Sequence, residues 1–271
     1  MAWQRRLFIF GLGYSAAFVA RAAQARGWEV VSTGRAGTLS FDDGGTVRLA
    51  LADADAVVSS VPPAGDGTDP VLERFGDGFA GKCLGYLSST GVYGDAQGGW
   101  VDEASPVGTG RRTARADCDR AWLEAGARVL RLPGIYGPGR SALDRVRAGA
   151  AHRIDLPGQV FSRVHVDDIA RGVLAALDGP PGAYNLADDQ PCSQNRVIEE
   201  ACALLGLPEP PLLTLEQAAL SPQARAFYAE NRRVANGKAG RVLGWRPLYP
   251  TWREGLRAVL AAEGLSPDAA R

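Results

Sequence analysis

What most restricts this chain is its opening. A four-residue apolar run, Leu7-Phe-Ile-Phe10, passes directly into Gly11-Leu-Gly13-Tyr-Ser-Ala16 and then into a helical pattern from about Ser15 to Arg26. So short a run is a strand, and a strand that becomes a helix within a few residues needs glycine at the turn. The G-x-G-x-x-A spacing gives each position a task. Gly11 permits the tight turn, Gly13 lets the backbone come close to a diphosphate, and the small Ala16 lets helix and strand pack closely. The helix offers its free N–H groups and the positive end of its dipole to the anion. Gly11, Leu12, Gly13, Tyr14, Ser15 and Ala16 are therefore expected to hold a dinucleotide. The G-x-G pattern recurs at Gly65/Gly67, Gly76/Gly78, Gly108/Gly110 and Gly137/Gly139, but only the first copy follows an apolar strand and opens a helix.

The same opening imitates a secretory signal, with Arg5-Arg6, an uncharged run to Ala20 and small residues beyond. Gly11 and Gly13 interrupt that run, which is also shorter than the ~20 residues that span a bilayer. A buried strand, a cytoplasmic location and no membrane partner are the expectation.

Further along, short apolar runs alternate with amphipathic stretches. Strands are expected at Trp28–Thr33, Thr38–Asp42, Ala56–Val61, Cys83–Ser88 and Arg128–Leu132, with helices near Pro70–Gly76 and Ala114–Ala125. Uniformly apolar strands between helices indicate an α/β fold, a doubly wound parallel sheet covered on both faces. After Tyr136 the pattern loosens into helices at Asp167–Leu177, Ser193–Leu205 and Trp252–Ala262, a strand at Ala183–Leu186 and a proline-rich link at Pro208–Pro211. The expected organisation is a nucleotide-binding domain over residues 1–190 and a smaller C-terminal lobe over 191–271, too small to fold independently.

Charge narrows the partners. The 30 basic and 30 acidic residues cancel, leaving no surplus to grip a nucleic acid backbone. All the basic residues except Lys82 and Lys238 are arginine, so arginine richness by itself signals nothing. The four cysteines stand far apart, and His152 and His165 are the only histidines. Neither a disulfide framework nor a metal site is expected. The second strand ends Ser32-Thr33-Gly34-Arg35 with no carboxylate for a ribose 2′-hydroxyl, and Arg35 can clasp a 2′-phosphate. NADP is the expected cofactor, with NAD as the alternative.

Five ordered segments carry a resemblance: the glycine loop; Leu87-Ser-Ser-Thr-Gly-Val-Tyr-Gly94; Arg131-Leu-Pro-Gly-Ile-Tyr-Gly-Pro-Gly139; Val164-His-Val-Asp-Asp168; and Tyr184-Asn-Leu-Ala187. Together they resemble the extended short-chain dehydrogenase/reductase family of NAD-dependent epimerases and dehydratases. The resemblance implies a Rossmann-type enzyme acting on a carbonyl or alcohol of a small molecule, often a nucleotide-linked sugar. It implies that Ser89 hydrogen-bonds the reacting oxygen and that Thr33, Phe41 and Asp42 sit by the adenosine. Ser60, Val61 and Pro62 would line the ribose and diphosphate, Pro133 would approach the nicotinamide, and a homodimer would pair through the Ala114–Ala125 helix. A plainer alternative for Ser88, Ser89 and Thr90 is that they cap a turn.

The chain departs from this pattern at the acid/base. The family uses a Tyr and, four residues later, a Lys that lowers the phenol's pKa, yet no tyrosine or lysine occurs between Tyr93 and Tyr136. The aligned positions hold Arg111 and Arg115, which cannot release a proton. Their plain reading is a solvated helix face with Arg115–Asp119 and Arg120–Glu124 pairs. The chain thus resembles atypical family members, as do Ser60-Val-Pro-Pro63 and the tail from Leu243 to Thr251. Two functions remain open: an NADP-dependent oxidoreductase or epimerase taking its proton from Tyr93, Tyr136 or water, and a non-catalytic NADP(H)-binding sensor or scaffold. With no G-x-S-x-G elbow, a hydrolase is not expected.

Overall fold

Side chains along β1 (Arg6–Phe10) alternate between two cores, Leu7 and Ile9 on one face and Phe8 and Phe10 on the other, all at most 1% exposed. That double burial is why the strand is apolar at every position from Leu7 to Phe10 instead of every second one. The computed structural model describes residues 4–110 and 113–264. After β1 come α1 (Tyr14–Ala25), β2 (Glu29–Ser32), α2 (Gly44–Ala52), β3 (Ala56–Ser59), α3 (Pro70–Phe75), β4 (Cys83–Ser89), β5 (Trp100–Val101) and α4 (Thr113–Glu124). Next are β6 (Arg128–Leu132), β7 (Gly134–Tyr136), α5 (Ala142–Arg147), β8 (Arg153–Ile154), β9 (Arg163–His165), α6 (Val166–Leu177) and β10 (Gly182–Asn185). The chain continues through α7 (Gln194–Leu205), β11 (Leu212–Leu213), α8 (Pro222–Phe227), β12 (Arg233–Val234), α9 (Gly237–Leu243) and α10 (Trp252–Ala262).

Six strands form one sheet in the order β10-β6-β4-β3-β1-β2, and every pairing is parallel. The order reverses between β1 and β3, so the carboxyl ends of these strands open a crevice there, as in other Rossmann-type sheets. One face packs Leu7, Ile9, Val58 and Leu130 against α1 and α6. The other packs Phe8, Phe10, Val57 and Val129 against α2, α3 and α4, where Trp122 stacks on Tyr86 with centroids 5.2 Å apart. A third cluster joins Tyr136 and Leu143 to Ile198 of α7 and to Trp252 and Leu256 of α10.

One expected element fails to form. Thr38–Asp42 was to be a strand, but the segment contributes a single parallel bridge, Thr33 to Leu39. The residues after it form α2 instead, with Asp43 as cap accepting from the Thr46 N–H at 3.1 Å. Aspartate has a better use at a helix N-terminus than in an edge strand, and two glycines follow at once. Among the described residues no helix is long and apolar enough to cross a membrane, no cluster of His, Cys, Asp and Glu could hold a metal, and the four cysteines are free.

Candidate functional site

The glycine loop is stitched to the strands beside it. Leu12 donates its N–H to the Thr33 carbonyl at 2.7 Å, Gly11 donates to Thr33 Oγ1 at 3.3 Å, and the Ser60 hydroxyl donates to the Gly11 carbonyl. Gly11 has φ +80°, and a Cβ there would come within 3.0 Å of Val61 Cγ2. A second close approach lies at Gly34, φ +115°, where a Cβ would stand 2.9 Å from the Leu12 nitrogen. Gly13 is the contrast: a Cβ there would meet nothing within 4 Å. That open space faces the start of α1, which carries no side-chain cap and no acidic residue in its first turn. The first-turn N–H groups have no partner within the helix, while Ala16 is buried beneath. This arrangement fits a diphosphate, which would supply both the missing acceptors and the negative charge. Tyr14 ties the loop to the next crevice wall, donating its hydroxyl to the Pro138 carbonyl at 3.0 Å.

Past the end of β2, Thr33 is buried, and Arg35 is exposed with no ion pair among the described residues. Asp42 is exposed and held by Arg74, whose Nη2 donates to the Asp42 carbonyl at 2.7 Å and whose guanidinium lies 5.3 Å from the Phe41 ring. Val61 is half-buried and Pro62 exposed beside the loop.

At the other end of the crevice, Ser89 closes β4. Its Oγ accepts the Gly91 N–H at 3.1 Å, so the serine does cap the turn. The hydroxyl proton has no acceptor among the described residues and remains free to donate. Ser89 and Pro133 line a cavity of about 260 Å³ together with His152, Phe161, Arg163 and Tyr228.

Neither candidate tyrosine lines that cavity. Tyr93 is 3% exposed; its hydroxyl donates to Asn185 Oδ1 at 2.8 Å and accepts from Arg131 Nη1 at 3.0 Å. Burial pushes its phenol up to about 12 despite the adjacent guanidinium. Tyr136 lines a neighbouring cavity, and its buried hydroxyl has no hydrogen-bond partner among the described residues. Burial chiefly, with Asp188 and Asp168 nearby, pushes its pKa upward.

Two expected surface pairs are replaced. Asp119 is fully buried and bonded to Arg131, while Arg115 donates from Nη1 to the Tyr86 hydroxyl at 2.8 Å. Arg120 pairs with Asp117 instead of Glu124. The cause is orientation: Asp119 faces the sheet, where Arg131 needs a counter-ion. Arg111 lies outside the described residues.

Arg163, His152 and Tyr228 line the Ser89 cavity without having been among the expected site residues. Arg163 had a signal, since it immediately precedes Val164-His-Val-Asp-Asp168 in a strand whose three residues are all buried. His152 sits in an irregular stretch and Tyr228 at the end of the short α8, neither with a periodicity to place it.

No protein-family model matches the chain. A 3-diazoavenalumate denitrifying reductase from a Streptomyces species is 32% identical over 58% of this chain. The match covers 55% of that relative, so the chain spans about half its length. UDP-glucose 4-epimerase from Thermotoga maritima, solved with UDP-glucose, superposes with a TM-score of 0.76 at 16% identity over 96% of this chain and 98% of that one. A functionally unknown conserved protein from Silicibacter pomeroyi superposes with a TM-score of 0.84 at 39% identity, covering 96% of this chain and 99% of that one. The protein thus has the Rossmann-type fold of the nucleotide-sugar epimerases, and it belongs to the family of that conserved Silicibacter pomeroyi protein.

Proposed function

We propose that the protein is an NADP-dependent oxidoreductase of the extended short-chain dehydrogenase/reductase type, acting on a carbonyl or alcohol. The observation that carries this reading is the open space at Gly13 over an uncapped helix start, at the same carboxyl end of the sheet as Ser89 and its cavity. Gly11, Gly13 and the first turn of α1 would hold the diphosphate, Arg35 a 2′-phosphate, and Ser60, Val61 and Pro62 the near ribose. When bound, the nicotinamide supplies or accepts a hydride. Ser89, already fixed as an acceptor by Gly91, donates its free hydroxyl proton to the substrate oxygen and stabilises charge developing there.

Tyr93 and Tyr136 are poor proton relays in this geometry, the first bonded on both sides and both raised by burial. Water and His152, which lines the cavity, are the proton sources that this reading favours. The name of the Streptomyces relative records a reductase, which supports reduction over epimerisation. A cytoplasmic location and a homodimer pairing through α4 complete the reading.

The experiment is NADPH consumption over a panel of aldehydes and ketones, with wild type and Ser89→Ala compared. Turnover that falls by about 10- to 100-fold in the variant supports the enzyme. The engagement of Tyr93 favours a second reading, a non-catalytic NADP(H) sensor. That reading gains if no carbonyl is reduced while NADPH and NADP⁺ bind with different affinities.

A further inference from the structure

Arg163 is a buried cation without a carboxylate. It is 6% exposed, and its Nη1 donates to the Phe161 carbonyl at 2.9 Å and to the Cys192 carbonyl at 3.2 Å. Nη2 donates to Gln194 Oε1 at 3.0 Å. Its Nε–H has no partner among the described residues, and no acidic side chain lies within ion-pair distance. Asp188, which feels Arg163 electrostatically, forms no pair with it, and burial drives that carboxyl up to about 7, toward its neutral form. A buried guanidinium whose hydrogen bonds all go to neutral groups is costly to maintain. Arg163 lines both the Ser89 cavity and the adjoining one, which leaves its Nε–H as the donor for an incoming anion.

The remaining wall defines the rest of the ligand. Arg232 is neutralised by Glu230 at 2.9 Å, whereas Arg145 is exposed and, among the described residues, bonded only to the Ala150 carbonyl. Phe161 and Tyr228 meet edge to face with centroids 5.5 Å apart and form an aromatic side of the cavity. At about 260 Å³, the space falls just below the ~300–1,000 Å³ of ordinary ligand pockets. It suits one ring and a short side chain, and it is too small for a base, sugars and diphosphate together.

We infer that the cavity takes a small aromatic carboxylate, with its carboxylate on Arg163, its ring against Phe161 and Tyr228, and its reacting group toward Ser89. This inference rests on the proposed oxidoreductase reading for the identity of the site, and its test separates the two. Cinnamate, cinnamamide and UDP-glucose are titrated calorimetrically into the protein with and without NADP⁺, whose own binding is measured first. Cinnamate is expected to bind at least about tenfold more tightly than the neutral amide, with UDP-glucose unable to displace it. Arg163→Gln is expected to erase the acid–amide difference while leaving cinnamamide within about threefold of its wild-type affinity. Should that variant fail to fold, the acid–amide ratio in the wild-type protein decides the matter. Equal binding of acid and amide, no cinnamate binding at millimolar concentration, or displacement of cinnamate by UDP-glucose overturns the inference. NADP⁺ binding without cinnamate binding overturns it and leaves the oxidoreductase reading standing; cinnamate binding without NADP⁺ binding does the reverse.

Discussion

Arg131 and Asp119 form a two-pronged ion pair inside the protein: Nη2 reaches Oδ1 at 2.7 Å and Nε reaches Oδ2 at 3.1 Å, with neither side chain more than 3% exposed. The pair joins β6 to α4 and extends in two directions. Ser88, next to Ser89, donates to Asp119 Oδ2 at 2.7 Å, and Arg131 donates to Tyr93, which donates in turn to Asn185 of β10. The carboxyl end of β4, and Ser89 with it, is thus held by a polar network with its acceptors and donors matched.

Removing one partner of such a pair leaves the other charged and buried. Asp119→Ala is expected to cost about 3–5 kcal/mol in urea unfolding. Asp119→Leu combined with Arg131→Met should recover much of that loss, because no uncompensated charge remains. Equal losses in the single and double variants would show that the pair is not coupled.

Stability should depend on pH through Asp188. Its carboxyl is raised from 3.8 to about 7, mainly by burial. The folded state therefore holds a proton that the unfolded state releases between those values, and stability falls as pH rises through that window. His165 acts in the opposite direction. Burial lowers its pKa below 6.5, so the unfolded state takes up protons first, and stability falls as the medium is acidified below about 6.5. Asp188→Asn should flatten the loss above about pH 6.5 in chemical denaturation, while leaving the acid-side loss in place. A wild-type stability that rises steadily from pH 5 to 8 would contradict this assignment.

The two loop glycines should fail in different ways. Gly34 has φ +115° and stands against the Leu12 nitrogen, so Gly34→Ala is expected to lose about 1–3 kcal/mol of stability through backbone strain. Gly13 has φ −88° and open space beside it, so Gly13→Ala should change stability by under about 1 kcal/mol. Its added methyl would occupy the space in which the proposed diphosphate lies and should weaken dinucleotide binding by about tenfold or more. Thermal melts and titrations of both variants check the contrast; a Gly13→Ala protein that binds normally would contradict it.

The parts of the fold that could be read in advance are those in which one physical demand dominates. Leu7–Phe10 had to be a doubly buried strand, and Gly11-x-Gly13 at its end had to turn. Thr38–Asp42 misled because two demands compete there: Leu39 and Phe41 suggest a strand, but Asp43 and the glycines begin a helix. Asp119 looked like a surface residue because i,i+4 spacing does not reveal which helix face turns inward; its partner Arg131 lies on a different element. The cavity was least legible. Arg163, His152 and Tyr228 come together from separate segments of the chain, and only the folded arrangement relates them to Ser89.

The central claim is that a phosphorylated pyridine dinucleotide lies against the start of α1 with Arg35 on its 2′-phosphate. Titration calorimetry with NADPH and NADH, on wild type and Arg35→Ala, tests it most directly. NADPH is expected to bind at least about tenfold more tightly than NADH, with the preference lost in the variant. Absence of heat from both nucleotides, or a preference for NADH, would contradict the account.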